Sequence, residues 1–112
     1  MKNHNDYIGG IPDVWYSGTR NDLWVEYKYL SISQPRITVV PDLSPKQLHW
    51  ITCRQAEGRN VWVIVGYKNG GVIYTELDDI KYGLHPEVFI SWTLSRPELA
   101  ERIGDFCLKE IK

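Results

Sequence analysis

Cysteine is almost absent from the chain, whose two thiols are Cys53 and Cys107. Two isolated cysteines so far apart in sequence make neither a disulfide framework nor the paired spacing of a zinc site. No apolar run approaches the roughly 18 residues of a membrane-spanning helix, so no membrane partner is expected. Residues 1–6 are polar with no apolar segment behind them, so no secretory signal is visible, and the expected compartment is the cytoplasm. A large excess of charge of either sign is missing too. A net charge of −1 and a pI near 6.3 provide no basic coat for nonspecific nucleic-acid binding. Such a total does not exclude a nuclease, because acidic metal ligands offset basic groove residues. There is no phosphate-binding glycine loop, since Gly9-Gly10 lacks a Lys-Ser/Thr partner. Repeats and low-complexity stretches are also lacking.

What remains is the size and composition of one ordinary globular domain over residues 1–112, with 43% hydrophobic and 24% charged residues. A chain of this length buries roughly two-thirds of its unfolded surface, enough for a core without staples. Five Trp and seven Tyr stand out in so short a chain. They suit stacking on nucleic-acid bases, and equally core or dimer packing.

The apolar pattern predicts a strand over 13–17, a hairpin turn at 18–21 and a second strand over 22–30, D-L-W-V-E-Y-K-Y-L. Pro35 and Pro41 make 31–41 a loop with a short extended piece at 37–40. A helix opens after Ser44, with Pro45 at its first position and Gln47 three residues beyond the cap, and ends at Gly58. Residues 60–67 form a nearly continuous apolar run, as in a central strand covered on both faces. A turn at 69–71 leads to a fourth strand over 72–77. Residues 78–92 show no clear period and are broken by Gly83 and Pro86. Ser95 caps a last helix whose apolar face carries Leu99, Ile103, Phe106 and Cys107. The order β-β-α-β-β-α predicts a layered α/β domain with a mixed sheet of about four to five strands flanked by helices.

The chemistry concentrates in Gly10-Ile11-Pro12-Asp13 and Glu26-Tyr27-Lys28. Side chains alternate along a strand, so Glu26 and Lys28 share one face with Trp24 and Leu30. A carboxylate and an ammonium together on a half-buried strand suit phosphodiester hydrolysis. That reaction needs an activated water and stabilisation of the leaving oxygen, both of which Mg²⁺ supplies while bound by few carboxylates and several waters. Asp13 and Glu26 are the candidate carboxylates, and the Tyr27 backbone carbonyl a further hard oxygen ligand. Lys28 can orient or deprotonate the attacking water, or stabilise charge on the phosphate. The alternative is a surface ion pair on an edge strand, with Asp13 an ordinary turn residue after Pro12.

These motifs, followed by Leu43-Ser44-Pro45-Lys46-Gln47, resemble the PD-(D/E)XK nuclease superfamily, more narrowly its small VRR-NUC type found in phages and related to Holliday-junction resolvases. The resemblance covers residues 9 to about 77. It implies a restriction-endonuclease-like core and Mg²⁺- or Mn²⁺-dependent cleavage of DNA, expected to be branched or structured. It further implies Asp13 and Glu26 as metal ligands, Lys28 as catalytic lysine, Gln47 near the active site and assembly as a homodimer. One feature departs from the family, which usually carries a further acid on a helix before the G-x-PD strand. Asp6 is the sole acid before Gly10, so either Asp6 substitutes or the site runs on two carboxylates.

Other residues read more plainly. His4, His49 and His85 are scattered and are not expected to bind metal. Cys107 is expected in the core, and Asp78-Asp79 in a solvated turn at a strand end, with a role at a second metal left open. Arg20, Arg36, Lys46, Arg54 and Arg59 are spaced along loops and the first helix, where they can contact phosphates or simply be solvated. Two other classes stay open: an inactive nuclease fold that binds DNA or protein, and a structural domain whose aromatics form an oligomer interface.

Overall fold

The aromatic run at 22–29 settles the architecture, because it pairs on both sides. The computed structural model describes residues 10–108. Strand β1 (Val14–Ser17) turns through Gly18–Asn21 into β2 (Asp22–Tyr29), and the two pair antiparallel with Val14 opposite Val25 and Trp15 opposite Trp24. Helix α1 (Pro45–Ala56) carries the chain over the sheet to β3 (Val61–Tyr67), which lies parallel to β2 with Glu26 beside Val63. Strand β4 (Gly70–Tyr74) returns antiparallel through a turn at Lys68 and Asn69. The result is a mixed four-stranded sheet in the order β1-β2-β3-β4.

Three helices follow: α2 (Leu77–Tyr82), α3 (Pro86–Ser91) and α4 (Arg96–Leu108). The expected fourth strand is therefore displaced. It begins at Gly70, whose φ of +140° and close approach to the Leu94 carbonyl leave no room for a side chain, and it stops at Tyr74. Residues 75–77 leave the sheet because Glu76 is already the N-cap of α2. Asp78 and Asp79 occupy the first turn of that helix, where negative charge meets the positive end of the helix dipole, and are not a strand-end turn. Gly83 and Pro86, read from sequence as breaks, are the boundary between α2 and α3. Gly83 has φ +88° and closes α2, and His85 caps α3 by accepting the Glu87 N–H at Nδ1, 3.2 Å.

Each sheet face buries its own core. On the α1 side, Val61, Val63, Val65, Tyr67, Val72 and Tyr74 pack with Ile51, Ile80, Leu84 and Phe89. On the other side, Leu23, Val25, Trp62 and Ile64 pack with Ile103 and Cys107 of α4. Each such side chain contributes about 1.5–3 kcal/mol by leaving water. Cys107 is core, as expected, and burial pushes its thiol pKa up. Its carbonyl has a separate role. The Arg20 and Asn21 N–H groups donate to Cys107 O at 2.9 and 3.2 Å, and Asn21 Nδ2 donates to Phe106 O at 2.8 Å, so the β1–β2 turn caps the end of α4.

Candidate active site on strand β2

The period-2 pattern of β2 divides its side chains between two environments. Leu23 and Val25 point to α4 and are fully buried, whereas Trp24, Glu26 and Lys28 point to the α1 side. Glu26 is the one buried charged residue among those described, 2% exposed. A buried carboxylate needs partners, and α1 supplies one. Ser44 Oγ accepts the Gln47 N–H at 3.1 Å, and Gln47 Oε1 accepts the Ser44 N–H at 3.0 Å, completing a capping box. The same side-chain amide then donates from Nε2 to Glu26 Oε2 at 2.9 Å. Helix capping and contact with the acidic centre are thus performed together by one residue.

Lys28 Nζ lies 3.4 Å from the same Glu26 oxygen, its side chain a quarter exposed. Glu26 Oε1 is buried without a hydrogen-bond partner among the described residues. Leaving such an oxygen unsatisfied costs about 1–3 kcal/mol or more. Burial first, and then the negative charge of Asp13, raise the Glu26 pKa above its ordinary value, while Lys28 pulls it down.

Asp13 arrives by a different device. It stands one step before β1, where the hairpin register, continued from Val14–Val25, sets it opposite Glu26. Its Oδ2 accepts the Tyr27 N–H at 2.9 Å in place of a ladder partner. Odd-numbered residues of β2 direct their backbone groups toward β1, because Trp24 and Leu30 donate to Asn60 O and Gly66 O on the β3 side. The Tyr27 carbonyl therefore lies on the same side of the strand as its N–H, the side on which Asp13 sits. The Tyr27 side chain sits on the opposite face, its hydroxyl 2.6 Å from that of Tyr16, with its pKa raised by burial and then by Tyr16.

Gly10 fixes this arrangement to the helix. With φ +91°, it passes so close to α1 that a β-carbon would lie 2.3 Å from the Lys46 carbonyl. Asp13, Glu26, Lys28, Gln47 and the Tyr27 backbone are thus brought to one place. Asp6 and His4 lie outside the described residues. No group of three or more His, Cys, Asp or Glu residues forms a metal cluster among the described residues. The oxygen donors in this neighbourhood are two carboxylates, with the Tyr27 carbonyl on the same side of β2 as Asp13. Such an all-oxygen set suits a hard cation that retains waters, and the unpartnered Glu26 oxygen is an acceptor a cation would satisfy.

The basic residues do not gather here as a set. Arg54 pairs with Glu57 at 2.9 Å near the far end of α1, roughly 10 Å along the helix axis from Gln47. Arg59 lies beyond that end and Arg20 in the hairpin turn, while Lys46 sits beside Gly10 in the first turn of α1. His49 stays on the exposed side of α1, 3.6 Å from Cys53 Sγ. One feature sequence reading left open is the aromatic row Trp15, Trp24 and Trp50. Trp15 stacks on Trp24 with centroids 5.8 Å apart, and Trp24 meets Trp50 edge-on at 5.4 Å. Its signal was the equal placement of Trp15 and Trp24 about the hairpin turn.

The fold and this placement of strands and helix define an α/β core of the restriction-endonuclease-like class. Among solved structures, the chain is similar to a Holliday junction resolvase, Hjc, of the archaeal hyperthermophile Archaeoglobus fulgidus, with a TM-score of 0.51 over 83% of this chain and 75% of that one at 15% identity. No family model and no curated protein sequence matches the chain. Among the described residues, no helix is long and apolar enough to cross a membrane.

Proposed function

We propose that the chain is a metal-dependent DNA endonuclease of the PD-(D/E)XK kind, close to the VRR-NUC type, acting on branched or otherwise structured DNA. The observation that carries this reading is the buried Glu26 carboxylate, set against Asp13, Lys28 and Gln47 with one oxygen unpartnered. The shared fold with a protein named as a Holliday junction resolvase supports the substrate class. Asp13, Glu26 and the Tyr27 carbonyl would hold Mg²⁺ or Mn²⁺, which supplies charge stabilisation at the phosphoryl oxygens and a more acidic water.

The remaining work falls to side chains. Gln47 fixes the rotamer of Glu26 through its amide, so the carboxylate is oriented before substrate arrives. Lys28, an ammonium paired with Glu26, acts as a charge beside the scissile phosphate and stabilises the negative charge that grows on it. Losing one such preorganised group costs about 10²–10³ in rate. Assembly as a homodimer belongs to the same reading, and sedimentation of the free protein tests it.

The experiment incubates purified protein with plasmid, linear duplex and four-way-junction DNA in Mg²⁺ and in Mn²⁺. Cleavage of the junction is expected, falling at least about a hundredfold in Asp13→Ala, Glu26→Ala and Lys28→Ala proteins that remain folded. A wild-type protein that binds DNA and cuts none of the three in either metal contradicts the proposal and identifies a binding module instead.

A further inference from the structure

Beside the acidic centre, on the same sheet face, lies an open cavity of about 440 Å³ to which Trp15, Trp24, Arg20 and Arg59 all contribute. That volume falls within the roughly 300–1,000 Å³ of ligand sites. Trp15 stacks on Trp24, yet it lines the cavity and remains 51% exposed, so much of its ring is still open to a ligand. An indole held by a second indole and still half open is a platform for another π-system. Around it stand two guanidinium groups. Arg20 makes no ion pair among the described residues, and Arg59 meets only the exposed Glu57, at 3.6 Å. A surface pair of that kind is worth little and leaves the charge available.

The floor of the cavity is fixed. Asn60 Nδ2 donates to Asp22 O at 3.1 Å, tying β2 to the start of β3, and the turn carrying Arg20 is anchored on the Cys107 carbonyl. Asp22 also lines the cavity and repels phosphate, which places an anion on the arginine rim.

We infer that this cavity is the seat of one unpaired nucleotide, its base stacked on Trp15 and its phosphates held by Arg20 and Arg59. The inference deepens the nuclease reading and rests on it for the location of the cut. A paired base inside a duplex has both faces covered by its neighbours and cannot present one to Trp15, whereas a base at a gap, flap or junction can leave the stack at small cost. Trp24 precedes Glu26 by two residues on one strand, roughly 7 Å at the ordinary rise per residue. With Trp15 a further 5.8 Å from Trp24 on the neighbouring strand, the seated base belongs within a few nucleotides of the scissile phosphate. The site selects DNA that has an unpaired nucleotide near the cleavage position.

The test measures binding in EDTA, so that it does not depend on catalysis. A labelled duplex with a single-stranded gap is compared with the same duplex uninterrupted. Wild type is expected to prefer the gapped DNA, and Trp15→Ala to weaken that binding about 5- to 150-fold, the range for stacking one base on an aromatic ring. The continuous duplex should change little. Trp15→Tyr should keep most of the preference, which separates stacking from any loss of fold. Arg20→Ala and Arg59→Ala should each lower the slope of log Kd against log salt by about 0.7 on the gapped DNA. Equal weakening on both DNAs, no weakening on either, or a change in sedimentation with both affinities intact would each overturn the inference. A protein that prefers gapped DNA and never cuts overturns the nuclease proposal alone. One that cuts junctions without any preference lost on Trp15→Ala overturns this inference alone.

Discussion

Gln47 Nε2 donates to Glu26 Oε2 at 2.9 Å, while Oε1 of the same amide closes the capping box on Ser44. The start of α1 and the orientation of the buried carboxylate therefore depend on one side chain. Gln47→Ala should lose about 1 kcal/mol at the cap and about 1.5–3 kcal/mol at the charged hydrogen bond, lowering Tm by about 10–30 °C. Gln47→Glu keeps the acceptor for Ser44 but removes the donor and sets a second carboxylate against Glu26. Its Tm is expected to fall at neutral pH and to recover toward wild type in acid, where the added carboxyl is protonated and donates again. Thermal melts of both variants across pH check this.

The raised pKa of Glu26 gives a stability profile of definite sign. Burial and Asp13 outweigh Lys28, so the folded protein holds this proton above the ordinary value of 4.5. Between that value and the raised one the native state binds more protons than the unfolded chain, so stability falls as pH rises through the window. Above it the loss is complete. Glu26→Gln removes the titration, and it should match or exceed wild type in urea unfolding at neutral pH, with the difference shrinking as pH drops through the window. An advantage that grows on acidification would contradict the assignment.

Gly10→Ala should be destabilising out of proportion to one methyl group. The residue has φ +91°, and its new β-carbon would collide with the Lys46 carbonyl, which is backbone and cannot swing aside. The expected loss is about 1–3 kcal/mol. Because the segment carrying Asp13 would be pushed from α1, cleavage should fall more than stability accounts for. Comparing residual activity with the folded fraction at one temperature separates the two effects.

Where signals were local, the sequence was legible. Aromatic alternation in β2 placed Glu26 and Lys28 on one face, and Ser44, Pro45 and Gln47 marked the start of α1 to the residue. The capping pattern marked Gln47 as part of the helix start, and the resemblance implied a place near the active site, but nothing in the sequence indicated that a single amide bonds both Ser44 and Glu26. Helices α2 and α3 were not legible, since six residues make fewer than two turns and show no period. Packing of Ile80, Leu84 and Phe89 against the sheet settles them instead. The bond from Tyr27 N–H to Asp13 was hidden too, because a side chain replacing a ladder partner leaves no pattern in spacing. Which of the basic residues share a neighbourhood was not legible either, since Arg54 lies at the far end of α1 and Arg59 beyond it, positions that spacing along the chain does not relate to β2.

Calorimetric titration of Mn²⁺ into the metal-free protein tests the account most directly, since everything depends on Asp13 and Glu26 meeting at one cation. Binding to wild type with proton release is expected, because a cation favours the ionised form of the carboxyl that burial and Asp13 disfavour. Both should vanish in folded Asp13→Asn and Glu26→Gln proteins. Mn²⁺ binding of equal strength in wild type and both variants, or none in wild type, would contradict the account.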